Sequence, residues 1–127
     1  MKILSSEKTQ YSPAMNFNAT TGICVIEGES YPENARSIYL PVLEWLEEYK
    51  KAGITNLPMK FRFSFDYLNS LSLKYVYDIL KKLESFSDSG ITFDITWDYH
   101  KDDEETRENG EEFAKIFKFN FKLIQRS

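Results

Sequence analysis

Between Met59 and Leu83 the hydrophobic period of the chain changes, and the change predicts a strand followed by a helix. Met59, Phe61, Phe63, Phe65 and Tyr67 alternate with Lys60, Arg62, Ser64 and Asp66. That period of two gives a strand one apolar and one polar face. Leu73, Val76, Tyr77, Leu80 and Leu83 then recur at helical spacing, with Lys74, Asp78, Lys81 and Lys82 opposite. Asn69-Ser70-Leu71-Ser72 joins the two patterns and carries side chains suited to capping the new helix.

The same reading extends to both ends. Residues 1–13 are polar apart from a few positions and end at Pro13, which predicts a loose or edge-bound N-terminal arm. Met15 and Phe17, the turn-rich Asn18-Ala19-Thr20-Thr21-Gly22 and the apolar run Ile23–Ile26 predict a β-hairpin from Ala14 to Glu27. Ser30 and Glu33 have the spacing of a capping box, with Pro32 tolerated in a first turn. A helix is predicted from there to Lys51, with Ala35, Ile38, Val42, Trp45, Leu46 and Tyr49 as its apolar stripe and Gly53 just past its end. Pro41 inside it removes one backbone bond and predicts a bend. After a turn at Ser87–Gly90, Ile91, Phe93, Ile95 and Trp97 alternate with Thr92, Asp94, Thr96 and Asp98 as a second amphipathic strand. The acidic run Asp102–Glu112 leads into Phe113 and Ile116 as a third helix. Phe117, Phe119, Phe121 and Leu123 alternate with Lys118, Asn120 and Lys122 as a last strand.

The predicted order is β-β-α-β-α-β-α-β, an α/β fold. Strands separated by helices pair in parallel, and successive right-handed crossovers stepping one way put every helix on one side. The prediction is therefore a mixed sheet with helices mainly on one face and the other face wet. On the wet face Lys60, Arg62, Lys118 and Lys122 are expected to pair with Asp94 and Asp98 across strands.

Length makes this one domain over residues 1–127, and 16% aromatic residues exclude disorder. A net charge of −4 speaks against nucleic acid or an anionic membrane surface as the main partner. Cys24 is the only cysteine, which fits a reducing compartment, and no signal-peptide core or membrane span is legible. The expected location is the cytoplasm.

Candidate chemistry is sparse. The only histidine, His100, reads as an exposed loop residue beside Lys101 and Asp102, and Cys24 as core packing. The carboxylates from Asp102 and Asp103 to Glu112 lack the spacing of a calcium loop and suit a helix N-terminus. No glycine-rich phosphate cradle is present. No catalytic residue, metal site or cofactor is predicted. What remains is the strand–helix junction, where the Ser70 hydroxyl fits either a helix cap or a site of reversible phosphorylation. A phosphate there adds roughly −1.5 to −2 charges at the favourable end of a helix, so the surface changes and the fold need not.

Four stretches resemble the SiaC family of bacterial regulatory phosphoproteins. They are Gly28-Glu29-Ser30-Tyr31-Pro32-Glu33-Asn34, Tyr39–Leu46, Asp66–Lys74, and Trp97-Asp98-Tyr99 with Asp102-Asp103-Glu104 and Glu108–Phe113. The resemblance implies a fold like the STAS and anti-sigma-factor-antagonist domains, and a non-catalytic adaptor in a partner-switching pathway. It further implies a kinase that phosphorylates the loop before the second main helix, a PP2C-type phosphatase that reverses this, and an unphosphorylated form that activates a diguanylate cyclase. The family's acceptor, a threonine following the asparagine of N-T-S-S, matches Ser70. Here the motif reads Asn69-Ser70-Leu71-Ser72, which makes Ser72 a rival acceptor. Ser30, Pro32, Glu33, Asn34, Asn69, Asp102 and Asp103 are the expected partner-binding residues. The alternative is a constitutive protein-interaction module without a phospho-switch, docking through the helix-1 entry and the acidic run.

Overall fold

In the computed structural model, which describes residues 1–127, alternation assembles the middle of one six-stranded sheet. The elements in chain order are β1 (Leu4–Ser6), β2 (Ala14–Asn18), β3 (Ile23–Ser30), α1 (Ala35–Lys51), β4 (Met59–Leu68), α2 (Ser70–Glu84), β5 (Phe93–His100), α3 (Glu104–Ile116) and β6 (Asn120–Arg126). The strands lie side by side in sequence order. β1, β2 and β3 pair antiparallel, whereas β3, β4, β5 and β6 pair in parallel through the three helical crossovers. Met59, Phe61, Phe63 and Phe65 of β4 are buried with Phe93, Ile95 and Trp97 of β5 beneath the helices. Lys60 and Arg62 between them are exposed, so the helix layer covers one face only. The mixed α/β class follows the hydrophobic pattern.

Three local expectations need correction. The arm holds a strand of its own: Leu4, Ser5 and Ser6 pair with Phe17, Asn16 and Met15, and the Trp45 indole N–H donates to the Lys2 carbonyl at 2.9 Å. The order is thus β-β-β-α-β-α-β-α-β, and the added edge strand was hidden because only Leu4 of the three is apolar. The first helix does not open at Ser30. Asn34 caps α1 by accepting from the Ser37 N–H at 3.3 Å, while Ser30 ends β3. Tyr67, assigned by alternation to the apolar face, is exposed. Gly28 pairs with Phe65 but Glu29 pairs with Tyr67, so β4 carries one extra residue at Asp66. Such a bulge resets which face each side chain takes, leaving Asp66 and Tyr67 outward and Leu68 buried.

Pro41 sits inside α1 on its solvent side. The carbonyl it deprives of a bond is that of Ser37, a residue that is also exposed, so the lost donor falls on the solvent side of the helix and not in the core. Gly53 follows α1 at φ 66, the left-handed turn expected just past a helix end. On the wet face Arg62 pairs with Asp98 through Nη2 at 2.6 Å, and the Asn120 amide donates to Asp94 at 2.7 Å. α3 lies against Trp97, whose indole N–H donates to the Thr106 carbonyl at 2.9 Å. A Cβ at Gly110 would overlap that indole, so the helix reaches the sheet only because the residue is glycine.

Candidate functional site

Parallel strands place their carboxyl ends along one edge of the sheet, and the α1, α2 and α3 entries follow β3, β4 and β5 there. Of the stretches singled out in the sequence, those around residues 28–34, 66–74 and 97–104 meet at this edge. At its centre Asn69, with φ −81 and ψ 170, is the residue that caps α2. Its side-chain oxygen accepts from the Ser72 N–H at 2.8 Å and its carbonyl from the Leu73 N–H at 2.9 Å. Capping therefore falls to Asn69, and Ser70 occupies the first helical position with its side chain in solvent. The first turn of α2 carries no acidic residue, so the positive end of the helix dipole is not offset there.

The rival hydroxyl is in a different position. Ser72 is 0% exposed and lies at 2.8 Å from Ser30 Oγ, which is itself 2.5 Å from the Tyr39 hydroxyl. A serine hydroxyl has one proton. Since Ser30 donates to Ser72, Tyr39 donates to Ser30. Burial pushes the Tyr39 phenol up to about 12, against the lowering by its serine partners, so it keeps the proton it donates at neutral pH. Ser30 and Pro32 are both buried, so the structure places their side chains beneath the edge rather than on it. Glu33 and Asn34 are exposed. Asp102 and Asp103 sit at the α3 entry, where Asp103 caps the helix by accepting from the Thr106 N–H at 3.0 Å and the Asp102 N–H donates to His100 Nδ1 at 3.3 Å. They share the edge with Ser70 but form no hydrogen bond or ion pair with its turn.

Sequence reasoning missed the aromatic setting. Tyr31 packs edge-on against both Tyr11, at 5.2 Å, and Tyr67, at 5.4 Å. The Tyr31 N–H donates to the Tyr11 carbonyl at 2.8 Å, which fastens the arm beside the site. Tyr67 and Leu71 flank the Asn69–Ser70 pair and are 50% and 48% exposed. Tyr39 was missed as well. It stands next to Ile38 of the predicted stripe, and a buried phenol in such a place requires a polar partner. No three His, Cys, Asp or Glu side chains converge as metal ligands would, and no helix is long and apolar enough to cross a membrane.

The sequence and the fold are similar to those of known proteins. An uncharacterized protein of Pseudomonas aeruginosa strain UCBPP-PA14 is 32% identical over 115 residues, covering 91% of this chain and 90% of that one. The crystal structure of apo-SiaC from P. aeruginosa superposes with a TM-score of 0.86 at 28% identity over the whole of both chains. A second crystal structure holds the diguanylate cyclase SiaD of P. aeruginosa in complex with its activator SiaC. It matches with a TM-score of 0.87 at 29% identity, over 97% of this chain and 99% of that one. The family model of the SiaC regulatory phosphoproteins matches residues 6–126. The chain belongs to the SiaC family of regulatory phosphoproteins.

Proposed function

We propose that this chain is a cytoplasmic, single-domain signalling adaptor whose partner binding is switched by reversible phosphorylation of Ser70. A kinase adds the phosphate and a PP2C-type phosphatase removes it. The unphosphorylated form binds and activates a target protein, and a diguanylate cyclase is the target suggested by the SiaC–SiaD complex of P. aeruginosa. The observation that carries the reading is the contrast across one helical turn: Ser70 is exposed and free of capping duty, while Ser72 is buried.

The physical effect of the switch is electrostatic. Unmodified, the edge presents a small neutral hydroxyl between Tyr67 and Leu71, both half exposed and open to a partner's apolar side chains. Modified, it presents a dianion that the helix dipole tolerates but a closely packed partner must desolvate. Glu33, Asn34, Asn69, Asp102 and Asp103 form the polar surroundings that a partner meets along the same edge.

Intact mass with fragmentation, on protein from the native host, tests the acceptor: phosphate is expected on Ser70 and absent from Ser72. Titration of the Ser70→Ala and Ser70→Asp variants into a diguanylate cyclase of the same host tests the consequence. Binding by Ser70→Asp is expected to be weaker by roughly 10-fold or more, because a charge is buried at the interface. Equal binding by the two folded variants, or phosphate on another hydroxyl, rejects the reading.

A further inference from the structure

Ser70 is bracketed by two residues that are both tied to Ser30. On its N-terminal side the Asn69 N–H donates to the Ser30 carbonyl at 3.0 Å. On its C-terminal side the Ser72 hydroxyl accepts from Ser30 Oγ at 2.8 Å, and the Tyr39 hydroxyl completes the chain at 2.5 Å. All three side chains are 0% exposed. Buried hydroxyls bonded to one another add little over apolar groups of the same shape, but the bonds between them fix one arrangement of the elements that carry them. Here those elements are the end of β3, the second turn of α1 and the first turn of α2.

We propose that Ser30 and Tyr39 are positioning residues for the acceptor turn, holding the backbone on both sides of Ser70 while its own side chain stays free. The proposal rests on the reading of Ser70 as the acceptor. In the transfer, Ser70 Oγ bonds to the γ-phosphorus of a nucleoside triphosphate and the bond to the bridging β,γ-oxygen breaks. The hydroxyl proton passes to a base of the kinase and the nucleoside diphosphate leaves. In-line transfer depends on placement, and a displacement of ~1 Å costs on the order of 100-fold in rate. A turn pinned at Asn69 and Ser72 presents the hydroxyl in one place. The same lock holds the Ser72 hydroxyl inside.

Tyr39→Phe is the cleanest perturbation, since the ring stays stacked on Tyr75, with which it makes an angle of 8°, and only the oxygen is lost. Amide hydrogen exchange on the unmodified protein is expected to speed up roughly 10-fold at Ser72 and Leu73, whose N–H groups bond Asn69, through local opening of that turn. Exchange at Ile79–Leu83 is expected to stay unchanged. Phosphate occupancy at Ser70, measured by mass on protein from the native host, is expected to fall in Tyr39→Phe and in Ser30→Ala. Should Ser30→Ala not fold, Tyr39→Phe decides alone. Unchanged or uniformly faster exchange along α2, or unchanged occupancy, overturns the positioning role. Absence of phosphate from Ser70 in the unaltered protein overturns the acceptor reading instead, and that result is visible before any variant is compared.

Discussion

Placing a carboxylate at position 70 or at position 72 asks the same helical turn two different questions. At position 70 the new charge is solvated and faces a first turn that has no acidic residue. The helix dipole favours it by about 0.3–1 kcal/mol at low salt. At position 72 the charge enters a site that is 0% exposed, among Ser30 and Tyr39. Their hydroxyls offset part of the desolvation, but a lone buried ion still costs on the order of 3 kcal/mol. Unfolding entropy near 2.1 cal/mol/K per residue over 127 residues makes 1 kcal/mol worth about 4 °C in Tm. Ser70→Asp is therefore expected to raise Tm by ~1–4 °C, and Ser72→Asp to lower it by ~12 °C. Thermal denaturation followed by circular dichroism at low ionic strength measures both. The small gain at position 70 should fade in high salt, which screens exposed charge. The loss at position 72 should shrink as pH falls. Burial raises the folded-state pKa of the introduced carboxyl above its unfolded value near ~3.9, so the native state gains protons first and recovers stability on acidification. Equal stability of the two variants, or a loss of many degrees at position 70, would refute the division of the turn into one open and one closed hydroxyl.

Three further outcomes test the packing around the site. Gly110→Ala gains up to ~1 kcal/mol of helix propensity but drives a methyl into the Trp97 indole. The net expectation is a loss of about 1–2 kcal/mol, seen as a Tm lower by roughly 4–8 °C. Glu47 pairs with Lys82 across α1 and α2, and the Lys82 ammonium holds its carboxyl below the usual glutamate range. A depressed carboxyl pKa contributes stability above the unfolded value and loses it as pH falls through the folded one. Lys82→Gln should return the Glu47 carboxyl, followed by carbon-detected NMR titration, towards ordinary values. Cys24 is 0% exposed and burial pushes its thiol up to about 12, so at neutral pH it is a protonated core residue. A thiol reagent should modify it only at the rate of unfolding, and fast labelling of the native protein would contradict the core seen here.

Much of the scaffold was legible because its signals are local. The alternation from Met59 to Phe65 and from Ile91 to Trp97, and the helical spacing from Leu73 to Leu83, each concern residues within a few positions of one another. They identify β4, β5 and α2 without knowledge of any partner strand. The turn at Asn69–Ser72 was legible for the same reason, as the place where a strand hands over to a capped helix, and the charge pattern foretold the Arg62–Asp98 pair on the wet face. Three features depended on contacts between distant parts of the chain. The bulge that turns Tyr67 outward exists only in the register of β4 against β3. β1 is a strand only because β2 offers it an edge. Ser30 has the local spacing of a helix cap, yet its hydroxyl meets Tyr39 nine residues on and Ser72 forty-two residues on, and the need to satisfy these buried groups draws it inward. Periodicity reports which way a side chain faces within its own element. Which partner waits there is settled when the sheet brings β3, α1 and α2 to one edge.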